Sequence, residues 1–227
     1  MSRFPLRFCL LAAMSALSGV EAATMLENGE FTSSLVGWTA SGTVFNTGDV
    51  AALTDVGNAT AVSIFQSAGL PEGVVALMLT FDYRDGLSRT VAGGFLRDTF
   101  FATLYGGSQP FGSSLAGGVY ERALGLFDLD ANGLFNVFPG ASFGPSPKGA
   151  GWTRYTLTQA TGPGFTGPGF ATVAFEFYNL NGIAADSVVA VDNVSLLAVV
   201  PEPGLAALLL SSGVALLRRR RLPIHHP

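Results

Sequence analysis

The 227-residue chain carries 29 glycines and 12 prolines but a single cysteine, and 12% of its residues are charged. Glycine without a fixed every-third-residue period excludes a collagen helix, and this density of breakers excludes long helices away from the two ends. Between Thr24 and Val200 six bases face fourteen acids, a net −8, which excludes nucleic acid as a partner.

Residues 1–22 read as a secretory signal helix. Arg3 and Arg7 provide a positive start, residues 8–17 an apolar stretch, and Val20-Glu21-Ala22 a small-residue cleavage site. Cleavage is expected after Ala22, with Ala23 as the second choice because it would put Glu21 where a small residue belongs. Cys9, the sole cysteine, lies inside this signal. The exported body, 23–198, is therefore expected to have no disulfide, no thiolate nucleophile and no cysteine metal site, although its compartment would permit disulfides.

Within the body, β-branched and aromatic runs bounded by Gly, Asn, Asp and Pro predict strands over 61–66, 74–83, 100–105, 152–158, 171–178 and 188–197. In 171–178, Val173, Phe175 and Phe177 alternate with Thr172, Ala174, Glu176 and Tyr178, the period of a strand with one buried face. No twelve-residue stretch of the body keeps a helical apolar pattern free of Gly or Pro. The expectation is an all-β body of eight to ten short strands in a two-sheet β-sandwich, with a barrel as the structural alternative. Glycine-rich stretches at 106–107, 117–118 and 140–169 read as loops, and most of the eighteen phenylalanines as core.

Candidate chemistry is sparse. Asp128-Leu-Asp130-Ala-Asn132-Gly133 matches the first half of a calcium loop, in which alternate side chains face one centre and glycine makes the turn. The twelfth position is Pro139 rather than Glu, so the reading is a looser calcium loop or a surface turn. Asp82, Asp85 and Asp98 with Arg84, Arg89 and Arg97 read as a solvated charged turn; the alternative is a carboxylate pair for glycoside hydrolysis. The body has no histidine and no cysteine, which removes the commonest general base and transition-metal ligands. No catalytic residue is assigned, and the chain is read as non-enzymatic. Trp38, Trp152, Tyr83, Tyr105, Tyr120, Tyr155 and Tyr178 are the aromatics that could stack on sugar rings, with both tryptophans expected in the core.

The opening Glu27-Asn28-Gly29-Glu30-Phe31 with Gly37-Trp38, and the closing Val191-Asp192-Asn193-Val194-Ser195-Leu196, resemble the first and last strands of galactose-binding-like jelly rolls, a fold shared with many carbohydrate-binding modules. That resemblance implies a jelly-roll-like sandwich, glycan contact, and a structural calcium near the two strands with Asp192 among its ligands. Thr32 stands where those modules often carry Glu.

The far end holds Val200-Pro201-Glu202-Pro203-Gly204, an apolar run to Leu217, and then Arg218, Arg219, Arg220 and Arg221. Residues 204–217 would form a helix of about 21 Å, shorter than a bilayer core of about 30 Å. The segment is thus a short or transient anchor whose arginines stay on the cytoplasmic side. Residues 199–221 resemble the PEP-CTERM sorting signal of Gram-negative bacteria. The resemblance implies recognition and cleavage near Val200–Gly204 by an exosortase, in bacteria that make exopolysaccharide. Residues 222–227, with His225 and His226, are read as a cytoplasmic tail.

The expectation is an exported surface or matrix protein, tethered to the inner membrane as a precursor. Its partners would be the Sec translocon, an exosortase, transiently the inner membrane, and polysaccharide. No cofactor is assigned beyond calcium at Asp128, Asp130, Asn132 and Asp192. The alternatives are a calcium-stabilised adhesin or scaffold and a carboxylate-based polysaccharide hydrolase.

Overall fold

The computed structural model describes residues 24–57, 60–90, 97–112, 122–130, 135–137, 141–162, 169–183 and 186–200. The expected signal helix, the apolar run with its arginine cluster, the 117–118 loop and Tyr120 lie outside them. Twelve strands follow in chain order: β1 Thr39–Ser41, β2 Val44–Asn46, β3 Ala51–Thr54, β4 Ala61–Leu70, β5 Ala76–Arg84, β6 Thr99–Gly107, β7 Arg122–Asp130, β8 Phe135–Val137, β9 Ala141–Gly149, β10 Trp152–Ala160, β11 Gly169–Tyr178 and β12 Val188–Val199. They form two six-stranded antiparallel sheets. Sheet A has the order β1-β4-β11-β6-β7-β8 and sheet B the order β2-β3-β12-β5-β10-β9. The chain crosses repeatedly between the layers, which makes the molecule an all-β, jelly-roll-like two-sheet sandwich.

The period-2 pattern explains the core. Phe100, Ala102 and Leu104 of β6 and Val173, Phe175 and Phe177 of β11 point inward to meet Leu77, Leu79, Phe81 and Tyr83 of β5, all of them buried. Phe175 is the hub, with ring centroids 4.9 Å from Phe81 and 6.0 Å from Phe100. Burying each such ring stabilises by about 1.5–3 kcal/mol.

Three expectations change. The 140–169 stretch is not one loop, because 141–149 forms β9 and 152–160 forms β10. β9 tolerates Pro145 and Pro147 because it is the edge strand of sheet B, where a missing N–H on the outer side costs no ladder bond. Gly106 and Gly107 are the end of β6, paired with Ala171 and Phe170, rather than a loop.

The opening motif forms no strand. Left-handed backbone at Asn28, Phe31, Ser34 and Gly37 winds 24–38 into successive turns. The loop nevertheless reaches the closing motif: the Met25 N–H donates to the Leu196 carbonyl (2.8 Å) and the Val194 N–H to the Gly29 carbonyl (2.9 Å). Buried Gln66 ties it inward, accepting from the Glu27 N–H (2.7 Å) and donating to the Gly37 carbonyl (2.7 Å). Phe31 and Trp38 plug it into the core, 5.3 Å apart.

Candidate functional site

The outer face of sheet A follows from the same alternation. With Phe100 and Phe177 turned inward, Phe101, Thr103 and Tyr105 of β6 and Glu176 and Tyr178 of β11 turn outward, and with Leu180 they line a shallow recess of about 360 Å³. Glu176 organises it, accepting from the Tyr105 hydroxyl at Oε2 (3.2 Å) and from the Tyr178 hydroxyl at Oε1 (3.0 Å). Phe101 packs edge-on to Tyr178 at 5.6 Å.

Burial, then the neighbouring Glu176 carboxylate, push the Tyr178 phenol up to about 12, so it stays a donor through neutral pH. Each carboxylate oxygen keeps a second lone pair for an incoming hydroxyl. One end of the face is walled by Phe111, which packs with Phe65, Ala174 and Tyr105. The Phe111 N–H bonds Ser67 Oγ, which in turn bonds the Thr172 hydroxyl at 2.6 Å. The face offers apolar rings, a fixed acceptor and a rigid wall.

A second constellation lies where strands of both sheets begin or end. Asp55 follows β3, Asp98 precedes β6, and Asp186 with Ser187 precedes β12. Carboxylate oxygens of the three aspartates lie within 4.8 Å of one another. Asp55 and Asp98 are wholly buried.

Asp98 accepts the backbone N–H groups of Leu180 (3.0 Å) and Asn181 (3.2 Å) at Oδ1, and the Ser187 hydroxyl at Oδ2. Asp55 accepts from Asn179 Nδ2 (3.2 Å) and the Ser187 N–H (3.3 Å). Asp186 Oδ2 accepts from Asn181 Nδ2 (3.2 Å), while its Oδ1 is shut away from solvent without a partner. Among the described residues no lysine or arginine pairs with any of the three. Burial, and more weakly the adjoining Asp186 carboxyl, push Asp55 above the usual carboxylate range.

Oxygens held about 2.3–2.6 Å from one calcium ion lie within about 5 Å of each other. The spacing, the hard-oxygen donors and the orphaned Asp186 Oδ1 therefore fit a divalent cation; a shared proton is the metal-free way to relieve the same repulsion.

The sequence offers two separate calcium candidates, the Asp128–Gly133 stretch and Asp192. Asp128 and Asp130 close strand β7, paired with Phe101 and Thr99, and Asn132 lies outside the described residues. Asp192 sits in the other sheet at a bulge of β12, where its oxygens accept from the Asn193 N–H (2.6 Å) and Nδ2 (2.8 Å). None of them belongs to the buried triad.

The charged stretch around Asp82 is not uniformly solvated, since Asp82 and Asp98 are buried. Asp82 receives Arg154 bidentately at 2.6 and 2.8 Å, and Asp85 binds Arg89 and the Leu87 N–H. Of the aromatics considered for sugar stacking, Trp38, Tyr83 and Tyr155 are buried, Trp152 lies under Arg84, and Tyr105 and Tyr178 share the outer face. Val200 is exposed. Pro201, Glu202, Pro203, Gly204, Arg218–Arg221, Ala22 and Ala23 lie outside the described residues.

Asp55 and Asp186 belong to no motif in the sequence. The available signal is positional, each acid standing beside a strand end.

No family model and no curated protein matches the chain. Solved structures similar to it include the enzymatically active domain of the Bacteriophage CBA120 tailspike protein 4, at 16% identity and TM-score 0.48, over 78% of this chain and 21% of that one. The chain thus spans about a fifth of the tailspike chain. TmCBM61 in complex with beta-1,4-galactotriose is similar at 12% identity and TM-score 0.44, over 78% of this chain and all of that one. A CBM4 structure is similar at 14% identity and TM-score 0.42, over 77% and 99%.

Proposed function

We propose that the chain is an exported, non-enzymatic surface or matrix protein that binds glycan on the outer face of sheet A. The observation that carries this reading is the recess in which Phe101, Tyr105 and Tyr178 surround the doubly bonded Glu176. Flat apolar rings suit the C–H face of a pyranose, and the carboxylate accepts its hydroxyls. The experiment is affinity electrophoresis of the intact chain through gels containing neutral polysaccharides. Wild type is retarded in at least one gel, and Tyr178→Ala and Phe101→Ala, both partly exposed, lose that retardation while keeping the wild-type melting temperature within a few degrees. Equal mobility of wild type and variants in every gel contradicts the reading.

Sorting follows from the tail. In this reading the Sec translocon exports the body, the apolar run holds it transiently in the inner membrane, and an exosortase cleaves near Val200–Gly204. The resemblance of residues 199–221 to the PEP-CTERM signal supports it. β12 ends at Val199, and Val200 follows it in the sequence.

A second reading concerns cofactor rather than ligand. Asp55, Asp98 and Asp186 would hold calcium and make the sandwich a calcium-stabilised adhesin or scaffold; the observation favouring it is the buried carboxylate triad with its orphaned oxygen.

A further inference from the structure

Sheet B carries a larger recess on its own outer face. About 590 Å³ in volume, it lies between the opening loop and strands β5, β10 and β12, with Glu30, Thr32, Thr80, Arg154, Asn193 and Ser195 among its lining residues. That volume falls within the roughly 300–1,000 Å³ of small-molecule sites.

Its walls are held in place. The bulge of β12 puts Asn193 at φ 50°, from which its Nδ2 donates to Asp82 Oδ2 (3.0 Å) and to Asp192 Oδ2 (2.8 Å). Asp82 in turn fixes the guanidinium of Arg154, using Nε and Nη2 and leaving the rest of a group whose side chain is 35% exposed to face the recess. The opening loop is pinned against the same bulge through Gly29 and Val194. A bulge that re-aims a side chain beside a recess is a recurring device of binding sites.

The charges restrict what can enter. Glu30, Asp82 and Asp192 disfavour an anion, and Arg154, whose charge Asp82 already balances, offers its remaining N–H groups as donors. What remains is a donor, a carboxylate acceptor and three hydroxyls from Thr32, Thr80 and Ser195, a set that matches neighbouring hydroxyls of an uncharged sugar. We infer that this recess is a second saccharide subsite, for a neutral polyhydroxylated ring gripped between Arg154 and Glu30. The sandwich then engages glycan on both outer faces and can join two polysaccharide chains.

The test is isothermal titration of the intact chain with neutral disaccharides (lactose, cellobiose and maltose), repeated with glucuronate and glucosamine. Wild type takes up two equivalents of one neutral sugar. Glu30→Ala, in an exposed loop, weakens one site at least tenfold, as does Arg154→Lys, while Tyr178→Ala removes the other site. If Arg154→Lys fails to fold, Glu30→Ala alone decides. One equivalent lost to Tyr178→Ala and untouched by Glu30→Ala overturns the second subsite and leaves the sheet A reading standing. One equivalent lost to Glu30→Ala and untouched by Tyr178→Ala supports the subsite and overturns sheet A. Tighter binding of glucuronate or glucosamine at the Glu30-dependent site overturns its neutrality, and no uptake of any sugar overturns both sites.

Discussion

Gly29 shows how one residue can hold two ends of a sequence together. A Cβ there would fall 1.9 Å from the Val194 carbonyl oxygen, a backbone atom that cannot step aside. Gly29→Ala must therefore lift the opening loop from β12 and loosen Phe31 and Trp38. The expected cost is about 2–4 kcal/mol, in the range of overpacking with lost backbone bonds, and a thermal melt reads it directly. A melting temperature equal to wild type would show that the loop does not depend on this contact.

At the same scale, the sequence made some side chains legible and others not. Val173, Phe175 and Phe177 declare their inward direction by alternation, and Glu176 and Tyr178 are outward by the same rule. Asp98 is hidden among arginines, and its neighbours in space, Asp55 and Asp186, stand far from it along the chain. Nothing local in a lone acid beside a strand end distinguishes a buried ligand from a solvated one.

Elements were legible where alternation was strong and misleading where composition argued against a strand. The six expected strands are all present, several of them longer than expected because the ladder continues past the apolar run, as β4 does through Ser67 and Gly69 to Leu70, paired with Gly169 of β11. β9, with two prolines and two glycines in nine residues, has no strand signature of its own; its place at the sheet edge creates it.

The buried triad is also an element-scale feature, because it ties the end of β3 to the beginnings of β6 and β12. A ligand that binds only the folded state at a hundredfold excess over Kd stabilises by about 2.7 kcal/mol, or roughly 5–10 °C for a domain of this size. Calcium is therefore expected to raise the melting temperature of wild type relative to chelator by that amount, and Asp98→Asn to abolish the difference. Coincident melts in calcium and chelator would make the cluster a proton-sharing network instead.

For the whole molecule, the two-sheet sandwich was readable from breaker density, strand signals and the paired end motifs, but the division of labour between its faces was not. Which aromatics are core and which are wet depends on the packing of sheets assembled from distant strands, so Tyr83 and Tyr105, each closing an expected strand, look alike in the sequence and differ in the fold. The tail belongs to this scale too. Intact mass of the protein from its own cells, with and without a working exosortase, is expected to show loss of the segment beyond Pro201–Gly204 in the first case alone; an uncleaved carboxy terminus in both would make 204–217 a plain short anchor.

Glycan recognition by sheet A is tested most directly by chemical-shift mapping of the isotope-labelled intact chain against neutral oligosaccharides. Saturable shifts are expected at Phe101, Thr103, Tyr105, Glu176 and Tyr178, and they disappear in Tyr178→Ala. Binding that leaves these five residues unmoved would contradict it.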